Sequence, residues 1–196
     1  MKRREAVGAM AMAALTAAFK WTPAEAQRAA TLAREALATK TPFAPAFFTP
    51  HEWETVRVLA DLVIPKDERS GSATDAGVPE YMDFMLNDRP DGQTPMRGGL
   101  AWLDNECYER FGKTFVAATP TEQTAVIDDI AWPKKANPVL SQGVAFFNMF
   151  RDLTASGFWS SKIGIADLDY QGNTYVAEWK GCPDEALRKL GVKYES

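Results

Sequence analysis

Two four-residue signals set the terms for this chain: Thr49-Pro50-His51-Glu52 and Thr119-Pro120-Thr121-Glu122. A threonine at the cap, a proline at the first helical position and a glutamate three residues after the threonine make a reciprocal helix start. After the first signal, Trp53, Val56, Leu59, Ala60, Val63 and Ile64 share one face at helical spacing, and Pro65 ends the run. The second opens a helix to about Ala131, closed by Trp132-Pro133. The residues that follow the two starts differ, so they are not an internal repeat. The same spacing predicts a helix over 79–88 with Tyr81, Phe84 and Met85 inward. It predicts two more over about 95–111 (Leu100, Leu103, Cys107, Phe111) and about 139–155 (Phe146, Phe147, Phe150, Leu153). A short helix over 183–190 closes the chain. No stretch alternates with a period of two. The predicted class is all-α, a single compact helical domain with a long irregular aromatic-rich C-terminal segment.

Two stretches break the helical period. Residues 27–39 are rich in Ala, Arg and Glu and suit a helix, but they carry no strong apolar stripe. After them, Thr41-Pro42-Phe43-Ala44-Pro45-Ala46-Phe47-Phe48 reads as an extended arm, because two prolines in four residues disfavour helix. Its phenylalanines need a surface, either this chain's own core or a partner; the sharper reading is an arm laid on a partner. From Ser156 to Cys182, glycines alternate with Phe158, Trp159, Tyr170, Tyr175 and Trp179. An irregular segment this long is often functional, and aromatic residues are enriched at interface cores. Phe43, Phe47, Phe48, Phe158, Trp159, Tyr170 and Trp179 are therefore the candidate partner interface.

The first 26 residues read as an export signal. Lys2-Arg3-Arg4-Glu5 precedes an apolar run from Ala6 to Phe19, and Ala24-Glu25-Ala26 is an A-x-A cleavage motif. The run is too short to span a bilayer, which takes about 20 residues. The adjacent Arg3 and Arg4 resemble a twin-arginine signal, the route taken by proteins that fold before export; an ordinary secretory signal and a basic-ended helix are the alternatives. The organisation expected is a signal over 1–26, an arm or linker over 27–48 and a helical domain over 49–196. The full chain has formal charge −4. Residues 1–26 hold four cations and two acids, so their removal leaves −6. An acidic body argues against nucleic acid as a partner. Cys107 and Cys182 form no metal or haem motif. In an oxidising compartment they are a candidate disulfide; two thiols that never meet, or a link to another chain, are the other readings.

Chemistry is sparse. His51 is the only histidine, and a Ser–His–Asp or Cys–His site would have to use it. No dinucleotide fingerprint, phosphate loop, haem or flavin attachment motif occurs. The acidic pairs Asp104/Glu106 and Asp128/Asp129 read as solvated helix faces. Asp167, Asp169, Gly172 and Glu178 occupy positions 1, 3, 6 and 12 of a calcium loop, with Gln171 a weak ligand at position 5. An Asx-type turn at Gly172-Asn173 accounts for the same residues. No catalytic, cofactor-binding or firm metal site is predicted.

Several stretches, taken in order, resemble the gluconate 2-dehydrogenase subunit 3 family. They are Phe48-Thr49-Pro50-His51-Glu52 through Ile64-Pro65, Ala76-Gly77-Val78-Pro79-Glu80-Tyr81 and Gly99-Leu100-Ala101-Trp102-Leu103-Asp104. Phe146-Phe147 to Leu153-Thr154, Leu168-Asp169-Tyr170-Gln171-Gly172-Asn173 and Trp179-Lys180-Gly181-Cys182-Pro183 continue the series. The resemblance implies a small subunit without a redox centre. Its partner would be a glucose–methanol–choline-type flavoprotein that binds FAD and oxidises a sugar or sugar acid, and a multihaem cytochrome c would take the electrons. It implies a periplasmic complex held at the inner membrane through partner subunits, exported folded by the twin-arginine machinery. A stand-alone enzyme using buried carboxylates and a calcium-stabilised binding module are the alternatives.

Overall fold

The structure, a computed structural model, describes residues 22–38, 43–169, 177–178 and 181–194. Among them are eight α-helices and no strand: α1 (Pro23–Ala38), α2 (Pro50–Val63), α3 (Val78–Asp88), α4 (Gln93–Phe111), α5 (Pro120–Ala131), α6 (Ser141–Trp159), α7 (Lys162–Asp167) and α8 (Asp184–Leu190). Single 3₁₀ turns, Pro90–Gly92 and Pro138–Leu140, lead into α4 and α6. The all-α expectation holds.

Both Thr-Pro-x-Glu signals start helices as the sequence predicts. The Thr49 hydroxyl accepts from the Glu52 N–H at 3.3 Å while the Glu52 carboxylate accepts from the Thr49 N–H at 2.8 Å. Thr119 and Glu122 repeat the arrangement at 3.4 and 2.7 Å. The Thr119 N–H and Lys113 hold the Glu122 carboxyl down at about 2. A third box went unread in the sequence. Thr22 and Glu25 cap α1 with the same reciprocal bonds at 3.3 and 2.9 Å, inside the stretch taken for a cleavage site. Helix α1 thus starts ahead of Ala26. Its buried face is alanine, with Ala29, Ala30 and Ala33 against the body, so no large apolar stripe announces it. Small side chains let it lie close on α3. Glu25 pairs with Arg89 at 2.7 Å, and the Arg34 guanidinium donates to the Ser160 carbonyl.

Helix α6 is the hub, packing on α1 to α5 and on α7. Phe146, Phe150, Leu153 and Phe158 are fully buried on it, each large side chain contributing roughly 2–3 kcal/mol. Gly99 of α4 lies under the Phe146 ring, where a methyl group would overlap the ring carbons. Helix α6 continues to Trp159 rather than fraying near Ser156. Gly157 continues the helix because it faces Tyr81, and any side chain there would meet that ring at 2.9 Å. Ser161 then caps the short α7, which the sequence reading left irregular, by accepting from the Gly164 N–H at 3.0 Å.

Candidate docking surface

The arm before α2 is built from α3 upward. Asp83 sits fully buried on the apolar face of α3, among Tyr81, Met82, Met85 and Leu86. Its carboxylate accepts from three consecutive arm N–H groups, Ala46 at 2.8 Å, Phe47 at 3.0 Å and Phe48 at 3.1 Å. A carboxylate that accepts several backbone donors satisfies them without water. The Arg97 guanidinium stacks 4.5 Å from the Phe47 ring centroid and donates to the Phe47 carbonyl at 2.8 Å. It also grips both Glu52 oxygens at 3.0 and 2.9 Å. Phe43 lies half-buried against Trp53 and Phe84. This corrects the partner-facing reading of the arm. Phe47 and Phe48 are core residues of this chain, because Asp83 draws their backbone inward. Neither Asp83 nor Arg97 was singled out in the sequence. The available signal was an acid in the middle of an apolar helix face, which is buried only when paired.

The groups suited to chemistry are engaged structurally. His51 Nε2 lies 2.6 Å from Asp104, whose other oxygen accepts from the Phe115 N–H at 2.9 Å. The pair borders a notch of about 240 Å³ that also holds the Glu52–Arg97 ion pair. Its threonines are occupied: Thr49 caps α2, and the Thr55 hydroxyl donates to the His51 carbonyl at 3.0 Å. His51 and Asp104 therefore bolt α2 to α4. Glu106 and Asp129 both bind Arg110, at 2.6 Å each. Of the acidic residues read as solvated, Asp129 thus ties α5 to α4 through Arg110, and Glu106 holds that arginine from within α4. Glu80 is buried with one oxygen unpartnered, and burial pushes its carboxyl up. Burial also pushes the neighbouring Tyr81 hydroxyl up to about 12.

Cys107 and Cys182 are both free thiols, the first buried in α4 and the second exposed. The bridge between them is not formed, because Cys107 faces the core. Burial, with Asp104 nearby, raises its thiol to about 11. Asp167 closes α7 and is taken by Arg69, which lies 3.6 Å from Oδ1 and donates to the carbonyl at 2.8 Å. Among the described residues no three His, Cys, Asp or Glu side chains group as a metal cage. Asp169 has a left-handed backbone and Glu178 is exposed; residues 170–176 of the calcium-loop pattern lie outside the described residues. So do Arg3, Arg4, Tyr170 and Trp179.

The family model described as gluconate 2-dehydrogenase subunit 3 matches residues 50–178. The chain belongs to that family. No curated protein matches it, and no solved structure does. As a gluconate 2-dehydrogenase subunit 3 family member it is one subunit of a dehydrogenase complex. The match spans α2 to α7 and stops short of α1, the arm and α8.

For a subunit of this family, what matters is the surface left open. Phe158 is buried and packs edge-on to Trp159 at 4.9 Å, so it too belongs to the core rather than to a partner. Trp159 remains 40% exposed, and Ile165 of α7 and Leu168 just after it are exposed too. A second apolar exposure is Trp132 and Val139, which line a depression of about 610 Å³ bordered by Arg110 of α4 and by Asp128 and Asp129 of α5. The third is the C-terminal unit around α8. No described helix is long and apolar enough to cross a membrane.

Proposed function

We propose that this chain is the non-catalytic small subunit of a periplasmic FAD-dependent sugar or sugar-acid dehydrogenase. It escorts the flavoprotein catalytic subunit through twin-arginine export and stabilises it afterwards. The observation that carries the reading is the family match over residues 50–178. The Arg3-Arg4 pair supports the export half of the proposal. The engagement of His51, Asp104 and Asp83 in structural bonds supports the non-catalytic half. FAD belongs in the catalytic partner, and haem c in a cytochrome subunit that receives the electrons. The complex would then sit at the inner membrane through its other subunits.

The test is to express the catalytic subunit with this chain carrying Arg3→Lys and Arg4→Lys together. Dehydrogenase activity in the periplasmic fraction should fall by roughly tenfold or more while cytoplasmic activity persists. Unchanged periplasmic activity would overturn the escort role.

A further inference from the structure

The last described segment, 181–194, is closed by hydrogen bonds within itself. Among the described residues helix α8 forms no extensive helix pair and buries no residue. No residue of 181–194 is part of the core or packed against it. Its own closure is nevertheless complete. Gly191 adopts a left-handed backbone, and the Val192 N–H returns to the Leu187 carbonyl at 3.1 Å while the Gly191 N–H bonds the Arg188 carbonyl at 3.2 Å. That pattern is a Schellman stop. Tyr194 then reaches back, its hydroxyl accepting from the Cys182 N–H at 2.7 Å, with its ring over Gly181.

The unit shows apolar surface with none of the described core residues packed upon it. Leu190 is 71% exposed, Tyr194 60% and Val192 51%. Leu187, Val192 and Tyr194 line one depression of about 810 Å³. A helix of seven residues does not hold its shape alone in water, so the unit needs a surface to complete it. Charge says what kind. Arg188, Lys189 and Lys193 border the apolar residues, and none makes an ion pair among the described residues. The chain as a whole is acidic at −4, so this cationic rim runs against its general charge. It complements an apolar recess edged by Asp and Glu. An anionic lipid surface shares that chemistry, but the Tyr194 hydroxyl is turned inward to Cys182 rather than outward to a headgroup layer. The segment also lies beyond the part that matches the family model.

We propose that residues 181–194 are a docking unit that inserts Leu190, Val192 and Tyr194 into an acid-edged apolar recess of the dehydrogenase catalytic subunit. The proposal rests on the reading above that such a subunit is the partner.

The experiment captures the tagged full-length chain from its native host and measures dye reduction by the eluate with gluconate and with glucose. Three forms are compared: wild type, Leu190→Asp with Val192→Asp, and Lys189→Glu with Lys193→Glu. The first pair should cut co-purifying activity by roughly tenfold or more. The charge reversal should cut it less, and that loss should shrink as salt rises. Unchanged melting temperatures would show that both variants keep the folded body. Full activity with both variants overturns the docking unit while leaving the escort reading intact. No activity with the wild type overturns the escort reading, and this proposal with it. Vesicles of phosphatidylglycerol and phosphatidylcholine form the second arm. Binding to them that is lost in the variants, with dehydrogenase capture unchanged, also overturns the proposal, in favour of lipid.

Discussion

The arm at 43–48 and the C-terminal unit at 181–194 present similar ingredients: proline, aromatic side chains and non-helical backbone. They end in opposite places. The arm's three backbone donors meet the buried Asp83 carboxylate, and the rings of Phe47 and Phe48 follow the backbone into the core. The C-terminal unit satisfies its donors within itself, through Gly191 and Tyr194, and leaves its apolar side chains outside. Aromatic content therefore does not distinguish a core strap from a docking unit. What distinguishes them is where the backbone hydrogen bonds go.

The sharpest way to break this contrast is Asp83→Ala. It strands the buried N–H groups of Phe47 and Phe48 and the part-buried one of Ala46, so urea unfolding should show a loss of about 3–5 kcal/mol. A loss under about 1 kcal/mol would mean the arm is not fastened by that carboxylate. Phe47→Ala should cost about 3 kcal/mol by the same measurement, since it empties a core site beneath Arg97. A near-neutral result would return Phe47 to the list of partner-facing residues. Thr49→Ala, which removes the cap just after the arm, should cost about 1 kcal/mol, seen as a lower thermal midpoint.

Glu80, one turn from Asp83, sharpens the comparison through pH rather than size. Burial raises its carboxyl above 4.5, so the folded chain holds that proton more tightly than the unfolded chain does. The associated stability is fully present below the unfolded value and is lost as pH rises through the folded one. Glu80→Gln should flatten that decline and be more stable than wild type at neutral pH. Equal pH dependence of stability in the two forms, by urea unfolding across pH 4–7, would show that burial does not raise the Glu80 carboxyl. The smallest effect belongs to the other region. Tyr194→Ala should change global stability by no more than about 0.5 kcal/mol, and a larger loss would show that the unit packs on the body after all.

Helix starts were the most legible feature, because a capping box is closed within four residues and needs nothing from the rest of the chain. Thr49 and Thr119 announced α2 and α5 to the residue. The identical box at Thr22 was hidden by its overlap with a plausible export motif. Helix α1 was hard to read for a different reason: its buried face is made of alanine, which scores as neither core nor surface. The fate of Phe158 was misread because Gly157 looked like a helix breaker, and only its contact with Tyr81 explains why it is not.

The amino-acid sequence alone determined the all-α class, the starts of α2 and α5 and the family, since each is carried by local spacing or by the order of short stretches. Tertiary structure alone decided that Phe47, Phe48 and Phe158 are inside, that Cys107 and Cys182 stay apart, and that α8 stands free of the core. Those outcomes depend on partners distant in the chain. Asp83 reaches the arm across more than thirty residues, and no local pattern records such a meeting.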